Sequence, residues 1–115
     1  MPVTSAQFRR MALAFPETAE SAHMSHPDFR VCGKIFATLG NRGKQWAMVK
    51  LTPEQQADFI ADAPDVFSPE SGAWGRSGCT RVQLKAAKQA MLRRAVLAAW
   101  LNIAPKPLAK KFESK

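Results

Sequence analysis

The side chains best suited to binding a ligand lie in two stretches of alternating sequence, residues 29–39 and 45–51. With the two-residue period of a strand, one set of alternate positions combines cations with aromatic and sulfur-containing groups. This set comprises Arg30, Cys32, Lys34, Phe36, Thr38, Trp46, Met48 and Lys50. Ammonium and guanidinium groups bind phosphates, and aromatic rings stack on nucleobases. The pattern therefore indicates a binding surface for a polyanion.

The intervening positions of the same two stretches are apolar and must face a core. They are Phe29, Val31, Ile35, Ala37 and Leu39 in the first stretch, and Ala47, Val49 and Leu51 in the second. The residues between the stretches, Gly40 to Lys44, include two glycines and an asparagine, which are typical of a tight turn. The sequence predicts a β-hairpin with one buried aliphatic face and one open face.

Other polar groups are less suited to chemistry. His23 and His26 have H-x-x-H spacing, but two imidazoles without a further ligand rarely hold a metal, so we expect a hydrogen-bonded pair. Glu54, Asp58 and Asp62 recur every four residues, as on the solvated face of a helix. The sequence contains no phosphate-binding loop and no nucleophile with a nearby base. We therefore expect neither an enzyme nor a metal or other cofactor.

The charge distribution favours an anionic partner. The net charge is +8, and residues 29–50 contain five cations and no acid, whereas residues 51–70 contain five acids and no cation. Residues 71–111 contain nine cations and no acid. Such segregation is typical of proteins that bind nucleic acid or another polyanion. No apolar run approaches the roughly 20 residues of a membrane span, so we expect no membrane partner.

The cysteine content indicates a reducing compartment. Cys32 and Cys79 are the two cysteines of the chain, and they lack the C-x-x-C spacing of a metal or redox site. We expect reduced thiols and a cytoplasmic location.

Helix signals occur at three places. Thr4 and Gln7 have capping-box spacing before an amphipathic stretch that ends at Pro16, and Thr52-Pro53 precedes a second helix. The longest apolar stripe with helical period covers residues 86–103. Strand signals comprise a weak strand before a turn at Pro27-Asp28, the hairpin of residues 29–51, and a second hairpin of residues 73–85.

The predicted element order is α-β-β-β-α-β-β-α, an α+β fold. An antiparallel sheet is packed on one face by the N- and C-terminal helices, and its other face stays open. In the second hairpin, Arg81, Gln83 and Lys85 alternate outward. Residues 1–108 form one domain, and residues 109–115 form a basic, mobile tail.

Several motifs resemble the hallmark of the MmcQ/YjbR family. They are His26 to Val31 running into Gly33 to Leu39, Trp46 to Gln55, Ala73 to Arg76 with Gly78, and Ala99-Trp100. The resemblance covers residues 4–108 and implies a frataxin-like (CyaY-like) two-layer sandwich. It also implies DNA binding through a double wing of two β-hairpins. Cys32 departs from the pattern, where we expect glycine.

The two wings correspond to the predicted turns. The first, Gly40 to Lys44, carries Arg42 and Lys44; the second, Arg76 to Cys79, carries Arg76. Such cations contact phosphates and position a protein without reading bases. The complete predicted nucleic-acid-binding set is Arg30, Lys34, Phe36, Arg42, Lys44, Trp46, Lys50, Arg76, Arg81 and Lys85.

Three functions remain open from the sequence. The first is a nucleic-acid-binding protein that holds duplex DNA with little sequence specificity. The second is an adaptor that binds a protein or an anionic ligand through the same face, with Phe36, Trp46 and Met48 as the apolar patch. The third, an enzyme or a frataxin-like iron handler, is disfavoured because the sequence offers no nucleophile with a nearby base and no ligand cluster, and because it carries a strongly positive charge.

Overall fold

The computed structural model describes residues 3–23, 26–40 and 45–113. Its strands are β1 (Thr18–His23), β2 (His26–Val31), β3 (Lys34–Leu39), β4 (Trp46–Lys50), β5 (Phe67–Pro69) and β6 (Cys79–Gln83). They form one antiparallel sheet in the order β1-β2-β3-β4-β6-β5.

The helices are α1 (Ser5–Leu13), α2 (Pro53–Asp62), α3 (Gly72–Arg76), α4 (Gln89–Ile103) and α5 (Lys106–Glu113). The helix starts predicted at Thr4 and Thr52 are confirmed, whereas the third predicted helix begins at Gln89 and not at residue 86. The hydroxyl of Thr4 accepts a hydrogen bond from the Gln7 amide, and the Gln7 side chain accepts one from the Thr4 amide. Thr52 and Gln55 form the same capping box at α2. Each box satisfies two backbone N–H groups that a helix start leaves without partners.

Helices pack on one side of the sheet, which we call the closed face. The ring of Phe8 on α1 contacts Phe29 of β2, and the ring of Phe59 on α2 contacts Phe67 of β5. Helix α4 lies against β3 and β4, with Trp100 fully buried. The predicted α+β architecture, with an antiparallel sheet covered on one face by helices, is confirmed.

The stretch predicted as a single strand, residues 29–39, is itself a hairpin. Cys32 and Gly33 have φ values of 50° and 84°, and this two-residue turn joins β2 to β3. Positive φ at both positions is the geometry of a tight hairpin turn that follows the twist of the strands. The prediction of one strand over residues 29–39 is therefore wrong, because this stretch contributes to two strands, β2 and β3.

A β-bulge follows this turn and changes which side chains face the core. Phe29 pairs with Ala37 and Arg30 pairs with Ile35, so Phe36 is an extra residue in β3. An extra residue breaks strict alternation. The Phe36 ring is fully buried, whereas Ile35 is half-buried opposite Arg30. The predictions of Phe36 on the open face and Ile35 in the core are wrong for this reason.

Three further predictions are corrected. Pro27 and Asp28 lie inside β2 and do not form a turn, because both pair with β1. The segment predicted as the first strand of the second hairpin forms α3 instead. The tail predicted to be mobile from residue 109 is helical to Glu113, because the Phe112 ring packs against Phe15 and Trp100.

Candidate functional site

The side of the sheet opposite the helices, here the open face, carries a row of polar and sulfur-containing side chains across its centre. Asp28, Thr38, Met48 and Arg81 are direct neighbours on β2, β3, β4 and β6. Although the helices α1, α2 and α4 lie on the other side, Asp28, Thr38 and Met48 are buried. Neighbouring side chains therefore cover the centre of the open face.

Arg30 is engaged by an acid on its own strand. Its Nε and Nη2 atoms donate to the two carboxylate oxygens of Asp28, at 2.8 and 3.2 Å. The hydrogen bonds and the charge of this carboxylate raise the pKa of Arg30. Asp28 is fully buried, and the guanidinium of Arg30 balances the negative charge of its carboxylate. Arg30 therefore forms an ion pair with Asp28, and this pair reduces its capacity to bind a phosphate as predicted.

Arg81 is held by an aromatic ring and more loosely by an acid. Its guanidinium carbon lies 4.5 Å from the centroid of the Trp46 ring. Its Nε lies 3.6 Å from Glu70 Oε1, beyond hydrogen-bond distance, and this buried nitrogen has no hydrogen-bond partner within the described part of the chain. The stacked ring thus fixes the position of the arginine, whose side chain as a whole is 43% exposed.

A groove of about 290 Å³ opens beside this stack. Trp46 and Met48 line it from the sheet, Trp74 lines it from α3, and His26, Thr38, Glu70 and Ser71 supply polar groups. The His26 ring lies 6.0 Å from that of Trp46. Aromatic walls with a few polar groups are typical of sites for planar ligands.

A second groove, of about 360 Å³, meets the first at Trp74. Lys50, Ser77, Cys79 and Asn102 contribute its polar lining. Burial raises the pKa of the Cys79 thiol, although Lys50 acts in the opposite sense. The raised pKa makes this thiol a poor nucleophile near neutral pH.

The remaining predicted cations lie at the margins. Lys34 and Lys85 are exposed near strand ends, Lys50 is half-buried on β4, and Arg76 is exposed at the end of α3. Arg42 and Lys44, with most of the first predicted wing, lie outside the described residues. The second wing is not a hairpin tip, because a helical turn separates β5 from β6. The structure thus brings together Trp46, Lys50 and Arg81, and it separates Phe36 from them.

No metal centre emerges within residues 3–23, 26–40 and 45–113, where no three His, Cys, Asp or Glu residues converge. His23 and His26 are partners in the backbone register of β1 and β2. Within the same ranges, every helix is too short or too polar to cross a membrane.

Sequence reasoning missed Trp74, His26, Glu70 and Ser71 as groove residues. Trp74 was assigned to a strand, although three glycines within seven residues, at positions 72, 75 and 78, surround it. Such a density of glycine is a signal of close backbone approach. It could have indicated a tightly packed connection that presents Trp74.

The class of protein is thus an α+β domain with a six-stranded antiparallel sheet, helices on one face and a grooved second face. A family model, YjbR, matches residues 13–102, and the chain belongs to the YjbR family. The crystal structure of the Deinococcus radiodurans protein DR2400, with a DUF419 domain, is similar, with a TM-score of 0.78 and 15% identity. That alignment covers 96% of this chain and 88% of DR2400. No curated protein matches the sequence.

Proposed function

We propose that the protein binds nucleic acid through the open face of its sheet. The observation that carries the proposal is the Arg81 guanidinium stacked on Trp46, at the edge of a groove with aromatic walls. Arginine in this setting can contact a phosphate, and the adjacent rings can contact bases. The proposal describes a binding protein and assigns no catalytic step.

The cations of the predicted set that have no acidic partner support this function. Lys34, Lys50, Arg76 and Lys85 belong to the predicted cation set, and none of them has an ion pair with an acid in the described chain. Within the same set, Arg30 is balanced by Asp28 and Arg81 is partly balanced by Glu70. These four cations therefore supply most of the attraction to phosphates, and Arg81 adds a positioned contact. A cytoplasmic location, where nucleic acid and reduced thiols coexist, belongs to the same proposal.

Fluorescence anisotropy with labelled oligonucleotides across a salt series tests the proposal. If four to six phosphates are neutralised, log K falls against log salt with a slope of about −3 to −4 for a single strand and −4 to −5 for a duplex. Heparin as a competitor measures how much of the binding is generic attraction to a polyanion. A wild-type protein that binds neither form of nucleic acid refutes the proposal.

A matched pair of double variants locates the interface. Arg81→Gln with Lys50→Gln removes two charges from the open face. Arg93→Gln with Arg94→Gln removes two charges from α4, where both arginines also lie over aromatic rings. We expect only the first pair to weaken binding and to reduce the slope by about 1 to 2. Equal losses in both pairs would show that general charge, and not the open face, holds the ligand.

A small anionic ligand is a second candidate, because the groove volume of about 290 Å³ is close to that of small-molecule sites, roughly 300–1,000 Å³. A mononucleotide that binds as tightly as an oligonucleotide, with a salt slope near about −1, would favour this candidate. A protein partner remains the alternative for the same face, and a binding response indifferent to salt would favour it.

A further inference from the structure

Trp74 is the most exposed large apolar side chain in the described chain. It is 65% exposed, and Leu13, at 38%, is the next such residue. Both of the grooves described above are lined by Trp74. Exposing an indole to water forgoes the free energy that its burial would release. A single exposed residue needs no explanation, but the backbone that carries Trp74 is unusually constrained.

Glycines fix the segment that carries Trp74. A Cβ atom at Gly75 would overlap the carbonyl oxygen of Glu70, and one at Gly78 would overlap that of Leu51. Gly78 also has a φ of 114°, and Gly72, which begins α3, has a φ of 65°. These positions admit close backbone packing and positive φ that other residues resist. The backbone of α3 is therefore restrained both before and after Trp74.

A glutamine from α2 anchors the same segment. Gln56 Nε2 lies 3.1 Å from the Gly75 carbonyl oxygen and 3.0 Å from that of Cys79. It lies 3.2 Å from Thr80 Oγ1, which itself donates to the Gly78 carbonyl oxygen. The Ser77 hydroxyl donates to the Trp74 carbonyl oxygen at 2.8 Å. Trp74 thus projects from a rigid support, as expected of a preorganised binding residue.

We propose that Trp74 stacks on an unpaired base of a single-stranded nucleic acid, held in the groove between α3 and Trp46. This inference rests on the proposed function and narrows it from nucleic acid to unpaired strands. An indole that stands clear of the surface can stack on a base only when that base has left its own stack. Duplex DNA, in which bases are stacked and paired, offers Trp74 no ring face.

The polar groups of the groove suit the edge of a base. Thr38 and Ser71 present hydroxyls, His26 presents an imidazole, and Glu70 presents a carboxylate that can accept from a donor on the base edge, such as the N3–H of thymine. Arg81 and Lys50 lie nearby on the open face and suit the flanking phosphates. The groove volume of about 290 Å³ fits one or two bases, with the strand continuing past Trp74 into the second groove.

The test compares ligands and variants by fluorescence anisotropy. The ligands are an oligothymidylate of roughly twelve nucleotides, an abasic strand of equal length, and a duplex of equal length. We expect the oligothymidylate to bind more tightly than either of the others. Trp74→Ala should weaken its binding by about fivefold to a hundredfold, and Trp74→Phe, which keeps a stacking ring, should restore most of it.

Two control variants complete the set. Trp74→Leu keeps apolar area without a stacking ring and should bind like Trp74→Ala. Leu13→Ala removes the other exposed apolar group, on α1, and should leave binding unchanged. Melting curves verify that each variant is folded, and the comparison of abasic and base-containing strands on the wild type requires no variant.

The outcomes separate this inference from the proposed function. Two results overturn the inference and leave the proposed function intact. One is an affinity for nucleic acid that Trp74→Ala does not change, and the other is an affinity for the abasic strand or the duplex equal to that for the oligothymidylate. Full binding by Trp74→Leu also overturns it, because apolar contact would then suffice. Absence of any nucleic-acid binding by the wild type overturns both.

Discussion

The two faces of the sheet are built from the same strands and held together by different forces. On the closed face, Phe29, Ala37 and Val49 lie side by side on β2, β3 and β4, fully buried under helices. One row away on the open face, Asp28, Thr38 and Met48 occupy the same three strands. The first row gains stability from removing apolar area from water. The second row is buried by neighbouring side chains, and the charge of its Asp28 is balanced by an ion pair with Arg30.

The comparison shows that burial and helical cover are separate properties. Asp28 on the open face is as buried as Phe29, whose ring contacts the helix α1 on the closed face. A polar centre inside a largely uncovered face is fixed by specific partners, such as the bidentate Arg30. Apolar packing tolerates repacking, whereas such partners have fixed geometry. The open face can therefore keep a defined shape while its rim stays accessible to a ligand.

The largest expected effect is a difference in stability between variants of two adjacent residues of β3, Phe36 and Ile35. Phe36→Ala should lower the free energy of unfolding by about 3–5 kcal/mol, because it leaves a cavity under the helices. Ile35→Ala, at a half-buried position on the other face, should cost about 1 kcal/mol. Urea denaturation measures both. A larger loss at Ile35 would mean that strict alternation holds and the bulge is absent.

The next effect concerns the support of the open face. Gly78→Ala should cost about 1–3 kcal/mol for the overlap with Leu51, in addition to the cost of positive φ. Gly33→Ala is the matched control, because its φ of 84° carries a similar cost and no atom lies within 4 Å of the added methyl. Thermal melting compares the two variants. Equal destabilisation would show that the segment around Trp74 can shift away.

A smaller effect tests the edge of the closed face. Phe112→Ala removes the α5 ring that contacts Phe15 and Trp100, and it should cost about 1–2 kcal/mol. Exchanging the exposed Lys111 for Ala on the same helix serves as the control and should change stability by less than about 0.5 kcal/mol. If Phe112→Ala leaves the melting temperature unchanged, α5 contributes nothing to the closed face.

The smallest effect concerns the two thiols. Cys32 is exposed and should react with a thiol reagent in the native protein, whereas Cys79 should react only after unfolding. Burial raises the pKa of the Cys79 thiol in the folded protein above its ordinary value of 9.0. Above pH 9 the thiol therefore loses its proton more readily in the unfolded chain, so the free energy of unfolding falls as pH rises. The stability of the wild type relative to Cys79→Ser should therefore decrease above pH 9. Rapid labelling of both native thiols would contradict this assignment.

The sequence determined those features that depend on local spacing. The capping boxes at Thr4 and Thr52 set the helix starts, because a hydroxyl and an amide three residues apart satisfy nearby N–H groups whatever the fold. Strand alternation correctly assigned Trp46 and Val49 to opposite faces, because β4 is regular. The α+β class followed from the same local patterns, and the YjbR family was indicated by the resemblance of several motifs and is shown by the family model over residues 13–102.

Tertiary structure decided the rest, for reasons that spacing does not encode. The bulge at Phe36 depends on pairing with β2, and this one extra residue reversed the faces of Phe36 and Ile35, whereas Ala37 and Thr38 kept theirs. Whether Arg30 is available to a ligand depends on Asp28, which is buried only once the sheet forms. The groove joins Trp46 with Trp74 across 28 residues because α3 folds against β6. Local patterns indicated candidate binding residues such as Trp46 and Arg81, and long-range pairing decided which of them meet and added Trp74 to the groove.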